Sequence, residues 1–198
     1  MSNSFIFRPH IMEACNVVTP DLLVDDVYLA DGSNDDEMEL SRLPVDRLIS
    51  DPAVQVTSAE TVADGSIVLM GAGGGMLVGL ASNHRPLLGD PQLFAKPLSR
   101  QAWRYEHVVD HWKELLITVR AGDGKILQEG TAQEFTDFSA VVSAVTGGHS
   151  ELASGVTVLC SALALPAKAA RRYELSLFDP KLDRTLSFTY DVHILTTP

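Results

Sequence analysis

Hydrophobic and polar residues alternate most regularly at the end of the chain. Leu186, Phe188, Tyr190, Val192 and Ile194 fall on one side of a period-two pattern, and Ser187, Thr189, Asp191 and His193 on the other. That spacing predicts a strand with one buried face. Tyr173, Leu175 and Leu177 repeat it upstream, and the turn-forming DPKLD joins the two runs into a hairpin. Further strands are predicted at 24–30, 53–58, 66–71, 76–82, 114–121 and 156–165, with KILQEG returning after the Gly122-Asp123-Gly124 turn. Asp64-Gly65 reads as a turn, and QLFAKPL as an edge strand because Pro97 has no N–H for a ladder. One helix is predicted over 131–145, where Phe135, Phe138, Val142 and Val145 recur at helical spacing behind a Thr131/Glu134 capping box. Residues 1–23 show no sustained pattern and read as an extended N-terminal arm, with one domain over 24–198.

Composition narrows the partners more than the fold. The 198 residues carry a net charge of −11, which disfavours nucleic acid and anionic membrane surfaces. No apolar run reaches the length of a membrane span, and the N-terminus lacks the pattern of a signal peptide. Cys15 and Cys160 have no metal-type spacing, and Cys160 sits in the apolar run VTVLCSALAL, as a small core residue would.

Candidate chemistry is sparse. Gly71 to Gly75 follow a strand, but without the Lys-Ser/Thr of a phosphate loop they read as a turn. His107, His111 and Glu114 have helical spacing, but Val108 stands where a metalloprotease places its glutamate. Gly148-His149-Ser150-Glu151-Leu152 lacks the second glycine of a nucleophile elbow. Asp31, Ser33, Asp35 and Glu37 supply alternating oxygens and form a weak calcium candidate; Asp36 occupies the usual glycine position, and Arg42 that of the last glutamate. Trp103, Tyr105 and Trp112 are the best aromatic cluster and the candidate interface. These patterns predict no catalytic residues, no cofactor and no enzyme activity.

Three stretches carry a family resemblance: 42–52 with Leu48-Ile49-Ser50-Asp51-Pro52, 66–87 with Gly71 and Leu80-Ala81-Ser82-Asn83-His84, and 171–195 opening on Arg172-Tyr173-Glu174-Leu175. Together they resemble a group of bacteriophage virion proteins with a discoidin-like, galactose-binding-type fold. The resemblance implies an all-β jelly-roll β-sandwich with one short helix and an extended N-terminal arm. It implies a structural tail-tip or baseplate (minor tail) protein, assembled in the host cytoplasm into the virion with copies of itself and other tail proteins. A head–tail or capsid-decorating protein is the alternative, as is a carbohydrate-binding module that takes a host-surface glycan.

Overall fold

The computed structural model of the protein describes residues 4–12, 17–18, 22–31, 38–87, 94–134, 137–161 and 169–195. In chain order the strands are β1 (Phe5–Phe7), β2 (His10–Met12), β3 (Val17–Val18), β4 (Leu22–Val24), β5 (Asp26–Asp31), β6 (Glu39–Leu43), β7 (Leu48–Ile49) and β8 (Ala53–Val56). Then follow β9 (Thr61–Ala72), β10 (Gly75–Pro86), β11 (Lys96–Arg104), β12 (Leu116–Ala121) and β13 (Ile126–Thr131). The helix α1 (Phe138–Thr146) precedes β14 (Val156–Ser161), β15 (Arg172–Asp179) and β16 (Arg184–Ile194). Among the described residues these form a nine-stranded sheet in the order β3-β2-β11-β10-β9-β14-β5-β6, with β7 also paired to β11. A five-stranded sheet runs β13-β12-β15-β16-β8, and β1 pairs with β4.

The long hairpin of β9 and β10 is the middle of the larger sheet. Both faces are covered, so TVADGSIVLM is buried at every position. Parity then sorts the side chains. Ala63, Ile67, Leu69, Val78 and Leu80 enter a core shared with the smaller sheet and with Phe138, Val141 and Val142 of α1. Val68, Met70, Leu77 and Ala81 enter a second core on the other face, closed by Phe7, Ile11, Leu22, Val24, Leu43 and Leu48. Residues 5–12, read as part of an arm, thus supply two strands and the buried side chains Phe7, Pro9 and Ile11.

The jelly roll is not what forms. Its strands are antiparallel, whereas β14 runs parallel to β5, β2 and β7 parallel to β11, and β8 parallel to β16. The closing hairpin of β15 and β16 does form, with Leu177 opposite Leu186 and Leu175 opposite Phe188. Asp64-Gly65 is not a turn but the interior of β9. A Cβ on Gly65 would lie 2.6 Å from Ile117 Cδ1, so glycine lets the smaller sheet approach closely there. The helix is shorter and later than the pattern suggested. Asp137 caps it by accepting from the Ser139 N–H at 2.8 Å, while the Glu134 carboxylate instead accepts from the Thr131 N–H at 3.0 Å at the end of β13.

Asp179, fully buried at the end of β15, ties the two halves of the fold together. Its Oδ1 meets His111 Nε2 at 3.0 Å and accepts from the Lys181 and Leu182 amides at 3.1 Å. Its Oδ2 accepts from Arg184 Nε at 3.0 Å. Burial pushes this carboxyl up, but the Leu182 amide, Arg184 and His111 outweigh it and hold the group below the ordinary range. The Arg184 guanidinium in turn lies 4.5 Å from the ring centre of Trp103. Removing one member of a buried charged network leaves the others uncompensated, at about 3–5 kcal/mol. Asp179→Ala is therefore expected to lower the urea unfolding free energy by about 3 kcal/mol or more; a loss below about 1 kcal/mol would show that the network does not stabilise the fold.

Candidate functional site

At one end of the larger sheet the second core turns polar. The parity that places Val68 and Met70 on this face places Asp64 and Ser66 there too. Asn83 stands opposite Asp64, and Ser161 stands beside Asp31 on the next pair of strands. Lys96 opens β11. The result is a row across five strands: Lys96, Asn83, Asp64 and Ser66, Ser161, Asp31. All but Asp31 are buried, and Lys96 and Ser66 completely so.

Burying polar groups requires partners, and the row supplies them. Lys96 Nζ donates to Asn83 Oδ1 and to the His84 carbonyl, both at 2.8 Å. Arg85 Nε donates to Asp64 Oδ2 at 2.9 Å. The hydroxyls of Ser66 and Ser161 bond to each other. Burial pushes the Asp64 carboxyl up; Arg85 opposes this, nearby Asp31 adds to it, and the Lys96 charge opposes it. The outcome is a carboxyl raised above the usual range close to a buried lysine, and perturbed carboxyls of this kind cluster at functional sites.

His84 follows Asn83 and therefore faces the other way, into the core between the sheets. Its Nδ1 lies 3.1 Å from Tyr190 Oη, which also bonds Ser82 Oγ at 2.9 Å. Tyr173 and Tyr190 pack edge-on to its ring, and its Nε2 is buried without a partner. Burial, and then the Lys96 charge, press its pKa down to about 4.

The residues singled out in the sequence are dispersed. Asp31 ends β5 within the polar row, while Ser33, Asp35 and Glu37 lie outside the described residues. Trp103 is fully buried, Trp112 stacks on Phe138 with ring centres 4.3 Å apart, and Tyr105 is half-buried, so the three do not present a shared aromatic surface. His111 is taken up by Asp179 and His107 is exposed near Glu106; the segment forms two short 3-10 turns rather than a helix. His149, Ser150 and Glu151 line a groove of about 620 Å³ that opens at the opposite end of β5 and β14. All three are exposed, so that groove shows less built chemistry than the buried polar row. Cys160 is buried, its thiol pushed up to about 12 by burial alone.

Asp64, Ser66, Arg85 and Lys96 were missed. For Asp64 and Ser66 the signal was polar residues at alternate positions heading an otherwise apolar strand; Arg85 and Lys96 have no such local signal.

The fold is that of the fumarylacetoacetate hydrolase family. The chain is similar to fumarylpyruvate hydrolase from Pseudomonas aeruginosa in complex with Mn2+ and pyruvate (TM-score 0.63, 12% identity, 97% of each chain covered). It is likewise similar to 5-carboxymethyl-2-hydroxymuconate delta-isomerase from Mycobacterium smegmatis (TM-score 0.65, 12% identity, 93% of this chain and 89% of that one). A fumarylacetoacetate hydrolase family protein from yeast matches at TM-score 0.64 and 9% identity, over 88% of this chain and 95% of that one. The chain itself belongs to the family described as protein of unknown function DUF2848, whose model matches residues 35–190. No curated protein matches.

These findings overturn the phage reading. A chain that shares its fold over nearly its full length with fumarylacetoacetate hydrolase-family proteins is not supported as a virion component, tail-tip or head–tail, nor as a partner of tail proteins located in a virion. The carbohydrate-module alternative rested on the jelly roll and falls with it. The expectation of no enzyme activity is overturned as well, since neighbours of this fold are a hydrolase and an isomerase.

The buried imidazole sets an acid limit on the fold. The unfolded chain takes up this proton near pH 6.5, the folded chain only near pH 4. The unfolded state thus binds more protons in between, so the stabilisation is complete above pH 6.5 and is lost as pH falls towards 4. Between pH 7 and pH 4.5 the urea unfolding free energy should drop by roughly 2–3 kcal/mol through this group, and His84→Phe should remove most of that drop. An equal drop in the variant would assign the acid sensitivity elsewhere.

Proposed function

We propose that the chain is an enzyme that acts on a small oxo-acid by hydrolysis or isomerisation through an enolate, at the polar row headed by Lys96 and Asp64. The observation that carries this reading is the buried Lys96 ammonium beside a carboxyl raised by burial, on a face that is otherwise apolar core. A hydrolase of an acylpyruvate and an isomerase of a hydroxymuconate share one requirement, the stabilisation of negative charge on an oxygen next to a carbonyl or carboxylate. A preorganised cation in a water-poor site meets it. In this assignment Lys96 faces the developing oxyanion, Asn83 and the His84 carbonyl hold its ammonium in place, and Asp64 carries the proton to or from carbon. A carboxyl whose pKa is raised towards neutrality suits that role, with Arg85 fixing its orientation.

One neighbour of this fold holds Mn2+ together with pyruvate. The described residues here do not fit such an ion. A hard divalent cation needs several oxygen ligands, carboxylates foremost. Among the described residues no three of His, Cys, Asp and Glu gather as a ligand set. In the row, Asn83 Oδ1 accepts from Lys96 and Asp64 Oδ2 from Arg85. Ser66 and Ser161 hold each other.

The test is turnover of fumarylpyruvate by the purified chain, followed by pyruvate release. Activity is expected, with Asp64→Asn lowering kcat by roughly 10²–10⁴-fold while circular dichroism stays native. No turnover of fumarylpyruvate or of a hydroxymuconate, together with no binding of pyruvate, would refute the reading. An Asp64→Asn variant with unchanged kcat would take Asp64 out of the proton role.

A further inference from the structure

We infer that His84 is a positioning residue: its imidazole, fastened to Tyr190 on one face of β10, fixes the main-chain carbonyl that holds the Lys96 ammonium on the other face. The inference rests on the proposed oxo-acid function, in which Lys96 meets the developing oxyanion, and adds what sets the place of that charge. Three observations carry it.

The first is a break in the ladder. The register of β10 with β11 ends where Ala81 stands opposite Leu98. Continued, it would set Asn83 opposite Lys96, but Pro97 has no N–H to carry it. The side chain of Lys96 bridges the strands instead, donating to Asn83 Oδ1 and to the His84 carbonyl, both at 2.8 Å. On its other edge β10 stays paired with β9 as far as Pro86 opposite Thr61. The carbonyl that takes the ammonium thus lies beyond the β10–β11 ladder, and its direction follows the orientation of residue 84. The second observation is what holds residue 84. Ser82 and His84 share the core face, and the Tyr190 hydroxyl bonds both, at 2.9 Å to Ser82 Oγ and 3.1 Å to His84 Nδ1. The imidazole meets Tyr173 and Tyr190 edge-on, with ring centres 5.9 and 5.8 Å away, and Phe94 at 6.3 Å. Phe94 stands just before Lys96 in the chain, so the ring packs against the approach to β11 while the carbonyl takes the ammonium at its start. His84 is fully buried and Tyr190 nearly so.

The third is the choice of side chain. His84 Nε2 is buried without a partner, a cost that a phenylalanine or leucine in the same space would not carry. Packing alone does not call for an imidazole. Aiming a peptide group does, because a ring bonded at Nδ1 to a hydroxyl of the opposite sheet has its rotation fixed. Side chains locked in this way by packing and hydrogen bonds keep a charged group preorganised for a transition state.

The test reads Lys96 both directly and through catalysis, on the full chain. The main variant is Tyr190→Phe, which removes one oxygen and keeps the ring stack, with His84→Phe as the second. Val141→Ala, in the same core but on α1, is the control for lost stability alone. The buried ammonium should give a slowly exchanging lysine side-chain signal in a proton–nitrogen NMR spectrum of the wild type, assigned by its absence in Lys96→Arg. Tyr190→Phe and His84→Phe are expected to shift or broaden that signal. They should also lower kcat on fumarylpyruvate by roughly 10- to 100-fold with KM changed less than about threefold, because a small displacement of the cation is felt in the transition state. Val141→Ala should leave both the signal and kcat unmoved. Wild-type kcat in both variants, or an unmoved Lys96 signal, would overturn the inference and leave the oxo-acid reading standing. So would an equal loss of kcat in Val141→Ala, which would assign the effect to stability. No turnover of fumarylpyruvate or of a hydroxymuconate by the wild type, together with no binding of pyruvate, would instead sink the oxo-acid reading. The Lys96 signal alone would then decide the placement of the lysine: a shift in Tyr190→Phe would uphold it, and an unmoved signal would overturn it.

Discussion

A sheet covered on both faces has to satisfy every polar side chain that it buries, and the architecture depends on how the larger sheet meets that demand. Strands β9 and β10 have no solvent face over most of their length. Each residue enters one of two cores by parity alone. Apolar residues meet the demand along most of the hairpin. At the Lys96 end it is met by cross-strand pairs of opposite character: ammonium with amide, carboxylate with guanidinium, hydroxyl with hydroxyl. A buried donor or acceptor left alone costs about 1–3 kcal/mol, and more if charged. Such a row is therefore kept only where its members are all satisfied or serve a ligand.

The opposite face shows the same constraint with another outcome. There Ser82, His84, Tyr173 and Tyr190 join the two sheets through one imidazole and two phenols, and burial keeps the imidazole neutral. Asp179 does comparable work at the other end of β15, holding His111 and Arg184 and, through Arg184, Trp103. The aromatic segment that looked like a contact surface is thus spent inside the protein. Trp103 packs under a guanidinium and Trp112 against the helix.

Several elements were legible because their cause is local. The alternation of Leu186, Tyr190 and Val192 follows from one buried face, and the hairpin of β15 and β16 has the pairing that its turn predicts. The two-sided apolar runs at 66–71 and 76–82 are the middle of the sheet. The candidate site was not legible for an equally physical reason. Asn83 and His84 are neighbours in sequence and belong to opposite cores, so reading Leu80-Ala81-Ser82-Asn83-His84 as one motif joined groups that the sheet separates. Asp64-Gly65 has the composition of a turn, yet its glycine answers to Ile117 of the other sheet. Lys96 is charged and precedes proline, so nothing nearby in sequence announces that it is fully buried.

By itself the sequence determined the strands with sustained patterning, such as 66–71, 76–82 and 114–121, and that the chain closes with a hairpin. These are set by a repeat of two along a few consecutive residues. Tertiary structure alone decided which strands are neighbours. The parallel pair of β5 and β14 is joined by most of the chain, and no local pattern distinguishes it from an antiparallel one. That choice separates this fold from a jelly roll. It also brings Asp31, Ser66, Asp64, Asn83 and Lys96, drawn from separate stretches of sequence, into one buried polar row.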